Sequence, residues 1–279
     1  MRAVSKLLIG ISSLVLVNVN AEINTLSDLD TIEGVLGTRV PHIENDADLC
    51  QVRGFTSAII TPVIKSELTK IEKLKAITAK DPNYPARVAN QILGVSECFS
   101  IDPVVFSALI GHESFFYNNA TSRTGAIGLG QLTSISLKEI AQQLHAPSIP
   151  KNERGSKDAL DYFNSALKCV KENMNRGVAL KHWWNYTTRE ARVAELKRNT
   201  LLNLTYSAMI FKISYSKSVS LLGSVRTAKN IDAIIKKILN FYNGASEAEQ
   251  KNHYKKTQGF INGFLRVLDE TDNACYTKV

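Results

Sequence analysis

Apolar residues recur along the chain at intervals of three and four, and strict alternation is scarce, so the pattern predicts a helix-rich fold. From Gly54 to Lys80 the spacing predicts helix interrupted near Pro62, and "DPNYPAR" at 81–87 reads as a break before a second helical stretch from Ala86 to about Gly94. Further helices are expected at about Ser134–Leu144, Thr200–Ser216, Asn230–Phe241 and Asn252–Leu268. Between them, "HAPSIPKNERGS" at 145–156 is a breaker, and "TTREARVAELKRN" at 187–199 reads as a surface helix or a mobile connection. There is no internal repeat, no low-complexity segment and no sign of a second globular domain.

One helix start is unusually clear. In "SIDPVVFSALIGHESFF", Asp102 is placed to cap and Pro103 to occupy the first helical position. Phe106, Leu109, Ile110 and Glu113 then fall at i, i+3, i+4 and i+7, which sets a glutamate on the apolar stripe. A carboxylate on such a face loses hydration in its charged form, so it is a candidate proton donor. His112 points about 100° away around the helix and is read as a residue of the neighbouring face.

Composition narrows the class. With 279 residues, 44% hydrophobic, 15 glycines and 7 prolines, the chain is globular rather than disordered. Arg2 and Lys6 precede an apolar run from Leu7 to Val17 that ends at a small-residue site, Val19-Asn20-Ala21, which reads as a secretory signal peptide over residues 1–21. The run is too short for the roughly 20 residues of a membrane span, so no stable membrane anchor is expected. Loss of that segment lowers the formal charge from +8 to +6, an excess that suits an anionic polymer; export disfavours nucleic acid. Cys50, Cys98, Cys169 and Cys275 fit two disulfides of unassigned connectivity, and no histidine or cysteine spacing suggests a metal. No cofactor is implied, and oligomeric state is left open.

After Glu113 comes a polar loop with Ser122, then the glycine-rich turn "GAIGLGQ", whose glycines let backbone approach a ligand closely and whose Gln131 offers a donor and an acceptor. The run "DPVVFSALIGHESFFYNNATSRTGAIGLGQLT" resembles the catalytic segment of soluble lytic transglycosylases, the family 23 glycoside hydrolase group with a lysozyme-like α fold. Glu113, Ser114, Ser122, Gly125, Ala126, Gly128, Leu129 and Gln131 match that pattern, and "NLTYSAMIFK" from Asn203, "LNFYNGA" and Tyr254 echo later motifs in order. The resemblance covers about 170 residues, roughly 100–268.

What the resemblance implies is an all-α catalytic domain over 100–279, similar also to goose-type lysozymes, with an N-terminal helical extension at 22–99 and an insertion at about 145–198. Glu113 would protonate the glycosidic oxygen between N-acetylmuramic acid and N-acetylglucosamine in peptidoglycan glycan strands. It would then take a proton from the muramic C6 hydroxyl as a 1,6-anhydro ring closes. Ser122 would orient the carboxyl or the muramic substituent; Gly128, Gly130, Gln131, Tyr242, Asn243 and Tyr254 would line the glycan groove. Localisation would be periplasmic or extracellular.

The chain departs from the pattern in three places. The family's methionine before the glutamine is Gly130, so either the pocket is wider, with altered selectivity for modified sugars, or another segment fills it. Gln250-Lys251-Asn252 replaces a charged triplet before Tyr254, and Trp183 and Trp184 sit in the extra length as a local core or a sugar-stacking pair. No acidic residue stands between Ser114 and Lys138, and the position two past Gln131, an aspartate in goose-type lysozymes, is Thr133. That favours the intramolecular route over a muramidase hydrolase; a noncatalytic wall-binding or secretion-assembly module is the remaining alternative.

Overall fold

A computed structural model describes residues 57–174, 181–222, 236–240, 242 and 247–270. The segment read as a signal peptide, Cys50, Cys275 and Asn243 lie outside the described residues. Within them the fold is all-α: α1 (Ser57–Lys70), α2 (Glu72–Lys80), α3 (Tyr84–Cys98), α4 (Pro103–Ser114), α5 (Ser134–Gln143), α6 (Lys157–Met174), α7 (Arg189–Arg198), α8 (Thr200–Leu222) and α9 (Glu247–Glu270). Extended pairing among the described residues is confined to isolated bridges of Ile127 with Thr121 and Leu132. No described helix is long and apolar enough to cross a membrane.

Several boundaries differ from the sequence expectation, each for a local reason. Pro62 lies inside α1, and the interruption falls at Ile71 instead. Proline removes one backbone donor, and Pro62 is on the exposed side of α1, where water can serve the carbonyl left without a partner. Helix α3 begins at Tyr84, with Pro85 in its first turn where a missing N–H does no harm, so the break is shorter than "DPNYPAR" implied. Helix α9 begins at Glu247, which places Gln250-Lys251-Asn252 and Tyr254 within the helix rather than at its opening. Residues 189–198 are helical, with the Thr188 hydroxyl accepting from Ala191 N.

Helix α4 is the centre of the molecule. Asp102 caps it, accepting from Val104 N and Val105 N at 2.8 and 2.9 Å. Every residue from Val104 to Gly111 is buried, so this stretch of α4 has no solvent face, and the stripe read in the sequence is one part of an all-round apolar surface. Helix α9 packs along α4, while α3 packs against α1, α6 and α8. A Cβ on Gly111 would lie 2.8 Å from Phe260 and 2.9 Å from Phe116, so the missing side chain is what lets α9 come this close.

The helices ahead of residue 99 share this core rather than standing apart from it: Ile60, Ile64, Val88 and Ile92 join Phe106, Leu109, Phe211 and Phe264 in one apolar cluster. The bridge Cys98–Cys169 ties the end of α3 to α6 across 71 positions of sequence. Closing a loop of that size restricts the unfolded chain, so replacing both cysteines by alanine is expected to lower unfolding stability by roughly 2–4 kcal/mol. Urea titration of the double variant against the wild type measures this; an unchanged midpoint contradicts it.

Candidate active site

Glu113 occupies the last turn of α4, and the chain reverses immediately after it. Phe115 and Phe116 both take left-handed backbone, at φ 52° and 60°, which is uncommon for residues with bulky side chains. Burial secures the reversal. Phe116 is fully buried against Phe260, and Tyr84 on α3 donates its hydroxyl to the Phe116 carbonyl at 2.7 Å while accepting from Asn118 N. Strained backbone held by surrounding packing at the end of a buried helix is a recurrent feature of functional sites.

The glycine-rich loop folds back beside this turn. Ile127 and Leu132 exchange two backbone hydrogen bonds of 3.0 Å, and Gly128 N donates to the Ala120 carbonyl at 2.9 Å. Gly128 takes φ 76°, and a Cβ there would meet Asn203 Nδ2 at 2.2 Å. Asn203, buried on α8, fastens the loop with both ends of its amide: Oδ1 accepts from Gly130 N at 2.9 Å, and Nδ2 donates to the carbonyls of Ile127 and Leu196, each at 3.2 Å.

Gly130 is a point of close approach. A Cβ on it would lie 1.8 Å from Ser207 Oγ and 2.7 Å from the Tyr242 hydroxyl, which itself donates to the Gly130 carbonyl at 2.8 Å. Of the two outcomes that its lost side chain allowed, the structure has the second: Ser207 and Tyr242 fill the space. Burial, followed by the nearby Glu113 carboxylate, pushes the Tyr242 phenol well up, so it stays a neutral donor.

Other expected residues have local duties. The Ser122 hydroxyl lies 2.9 Å from Thr124 Oγ1 and accepts from Ala126 N, so it closes its own turn instead of reaching Glu113. Gln131 takes left-handed backbone at φ 49° and donates from Nε2 to the Gly128 carbonyl at 2.8 Å. Tyr254 accepts from Gln258 Nε2, with Lys236 over its ring. Trp183 and Trp184 pack beside Ala141, Ala146 and Ile149, with His182 stacked on Trp184 and Arg192 over Trp183, so this pair serves a local core.

The residue at Glu113 is one the sequence reading passed over. His253 on α9 is buried, and its Nε2 lies 2.7 Å from Glu113 Oε1; the two side chains are 6% and 14% exposed. No local signal marks His253, because it stands 140 positions from its partner and its approach depends on the α4–α9 packing at Gly111. The rings of His253 and His112 meet edge to face at 4.3 Å between centroids. Burial first, then proximity to His253 and to the Lys256 cation, push the His112 imidazole down to about 3.

A family model, the Transglycosylase SLT domain, matches residues 91–188, from within α3 through Glu113, the glycine loop and α6 to the turn before α7. No curated protein and no solved structure matches the chain. The all-α fold and this match, which covers about a third of the chain, support a lysozyme-like catalytic domain of the lytic transglycosylase type.

Two outcomes follow for stability. Asn203→Ala leaves the Gly130 N–H and the Leu196 carbonyl without their side-chain partner, while the Ile127 carbonyl keeps Leu132 N; at about 1–3 kcal/mol for each of the two buried groups left unpaired, a loss of roughly 2–6 kcal/mol is expected from chemical denaturation. His112 gives the second. Its native pKa lies below the ordinary 6.5, so its contribution is full above about pH 6.5 and is lost as pH falls toward 3, because the unfolded chain then binds a proton the native one refuses. Asp102, pushed up to about 6 by burial, acts in the opposite sense over its own range, so the His112 contribution is read by difference. The denaturation midpoint is expected to fall more steeply from pH 7 to pH 4 in the wild type than in His112→Phe.

Proposed function

We propose that the chain cleaves the β-1,4 bond between N-acetylmuramic acid and N-acetylglucosamine and leaves a 1,6-anhydromuramic end, with Glu113 making both proton transfers. The observation that carries this reading is a single, largely buried carboxylate at the end of a buried helix, beside a fastened glycine loop. Glu113 gives its proton to the glycosidic oxygen as the C1–O bond breaks and the electron pair leaves with that oxygen. An oxocarbenium-like centre forms at C1. The C6 hydroxyl then bonds to C1 and returns a proton to the Glu113 carboxylate, which restores the starting state.

An inverting hydrolase needs a second carboxylate to activate water, with the two groups held roughly 6.5–9.5 Å apart. The loop from Ser114 to Lys138 carries no acid, and among the described residues the hydrogen-bond partner of Glu113 is an imidazole rather than a carboxylate. Both observations support the intramolecular route. Tyr242, whose phenol feels the Glu113 carboxylate, and the loop from Gly128 to Gln131 to which it bonds are proposed to border the glycan groove, together with Tyr254 and Asn243. Since the space at Gly130 is filled, it supports no widened pocket for modified sugars. The apolar leader and basic balance support export to the periplasm or beyond, where the polymer lies.

Digestion of purified sacculi by wild type and Glu113→Gln, followed by mass spectrometry of the released ends, tests the proposal. Wild type is expected to release anhydro ends and Glu113→Gln to lose at least about 100-fold in rate, in the range of removing a general acid. Reducing ends mean a hydrolase. Undiminished release by Glu113→Gln overturns the role of Glu113.

A further inference from the structure

Whether a single carboxylate can serve as acid and then as base depends on which of its oxygens holds the proton and on what stabilises the charge left behind. The surroundings of His253 bear on both. Its Nε2 is 2.7 Å from Glu113 Oε1, while its Nδ1 is buried and has no hydrogen-bond partner among the described residues. A proton on Nδ1 would be a buried N–H with nothing to accept it, an arrangement that costs the full desolvation of the group. A doubly protonated ring would suffer the same loss and would also bury a charge against the His112 ring. The remaining form is the neutral ring with its proton on Nε2, and that form makes His253 a donor to Oε1.

We infer that His253 is a positioning residue: as a neutral Nε2–H donor it occupies Oε1 of Glu113 throughout the reaction and so confines the transferable proton to Oε2. This rests on Glu113 being the catalytic acid. In the acid state Oε1 accepts from His253 as a carbonyl oxygen does, and the carboxyl proton resides on the other oxygen. After the proton has gone to the glycosidic oxygen, the same N–H bond stabilises the carboxylate. A neutral donor does this without stabilising the ionised form as strongly as a buried cation beside the carboxyl would, which would leave Glu113 ionised and unable to donate. No covalent bond to His253 changes at any step.

The position of His253 is also well secured. Helix α9 reaches Glu113 because Gly111 admits Phe260, and the next turn of α9 is buried at Thr257, whose hydroxyl donates to the His253 carbonyl at 3.0 Å. His112 closes the other side of the ring and is itself held neutral, with Lys256 the nearby cation acting on it.

Three variants of the full chain test the inference. His253→Phe keeps the ring and removes the donor; His253→Gln carries an amide N–H at a similar reach; Glu113→Gln is the control for the underlying reading. With soluble glycan strands, His253→Phe is expected to lower kcat roughly 10- to 100-fold with KM within about twofold, as for loss of a hydrogen bond to a charged group. His253→Gln is expected to recover most of that loss. Thermal unfolding checks that the variants are folded, and if the Phe variant is not, Gln against Asn, whose amide falls one bond short, gives the same comparison. Wild-type kcat in His253→Phe, or equal losses in Gln and the donor-free or shortened variant, overturns the inference while Glu113→Gln remains inactive. If Glu113→Gln is active, the reading of Glu113 fails first. Independently of activity, ring 15N shifts of His253, assigned by difference from His253→Phe, are expected to show Nε2 protonated and Nδ1 bare at neutral pH. The reverse tautomer, or a doubly protonated ring, contradicts it.

Discussion

The burial of α4 on every side from Val104 to Gly111 is the constraint from which the rest of the site follows. A helix with no wet face along that stretch carries its last turn into the protein interior, and Glu113, near its end, is brought to the edge of solvent with only a small part of its side chain exposed. A carboxyl in that position needs a polar partner, and the chain must turn away from the core directly after it. His253 supplies the first. The left-handed pair Phe115–Phe116, held by Tyr84 and Phe260, accomplishes the second. Helix α3, which precedes the segment carrying Glu113, is therefore part of the site's support, since Tyr84 provides the hydroxyl that fixes the turn.

The glycine-rich loop is stabilised by different physics. Its backbone is irregular and mostly buried from Ala126 to Gly130, so its polar groups must be served from outside, and the Asn203 amide serves several of them at once. The price of that fastening is side-chain volume: Gly128 is excluded from bearing a Cβ by Asn203, and Gly130 by Ser207 and Tyr242. The departure at Gly130 is thus compensated from α8 and from residue 242. A methionine there could not be added without displacing both.

Much of this was legible along the chain where causes are local. The cap at Asp102 and the proline behind it act over a few residues, and the structure has them as read; the glycines at 125 and 128 take positive φ, with Gly128 making room for Asn203. Glu113 was visible because an acid at the end of so apolar a segment is conspicuous. What could not be read depends on distant packing. His253 lies 140 positions away and reaches Glu113 only because Gly111 is small; Ser207 meets Gly130 across 77 positions; and Ser122, whose spacing suggested a link to Glu113, finds nearer partners in Thr124 and Ala126. Pairing of Cys98 with Cys169 was one of three connectivities until the helices were placed.

We propose that one carboxylate, supported by a neutral imidazole, makes both proton transfers, with no acid hydrogen-bonded to it among the described residues. Digestion of glycan strands in H2 18O tests that claim most directly, because the two routes differ in the origin of the oxygen at muramic C1. Ring closure by the C6 hydroxyl predicts products whose new muramic ends carry no solvent oxygen. One 18O atom at each new end would contradict it.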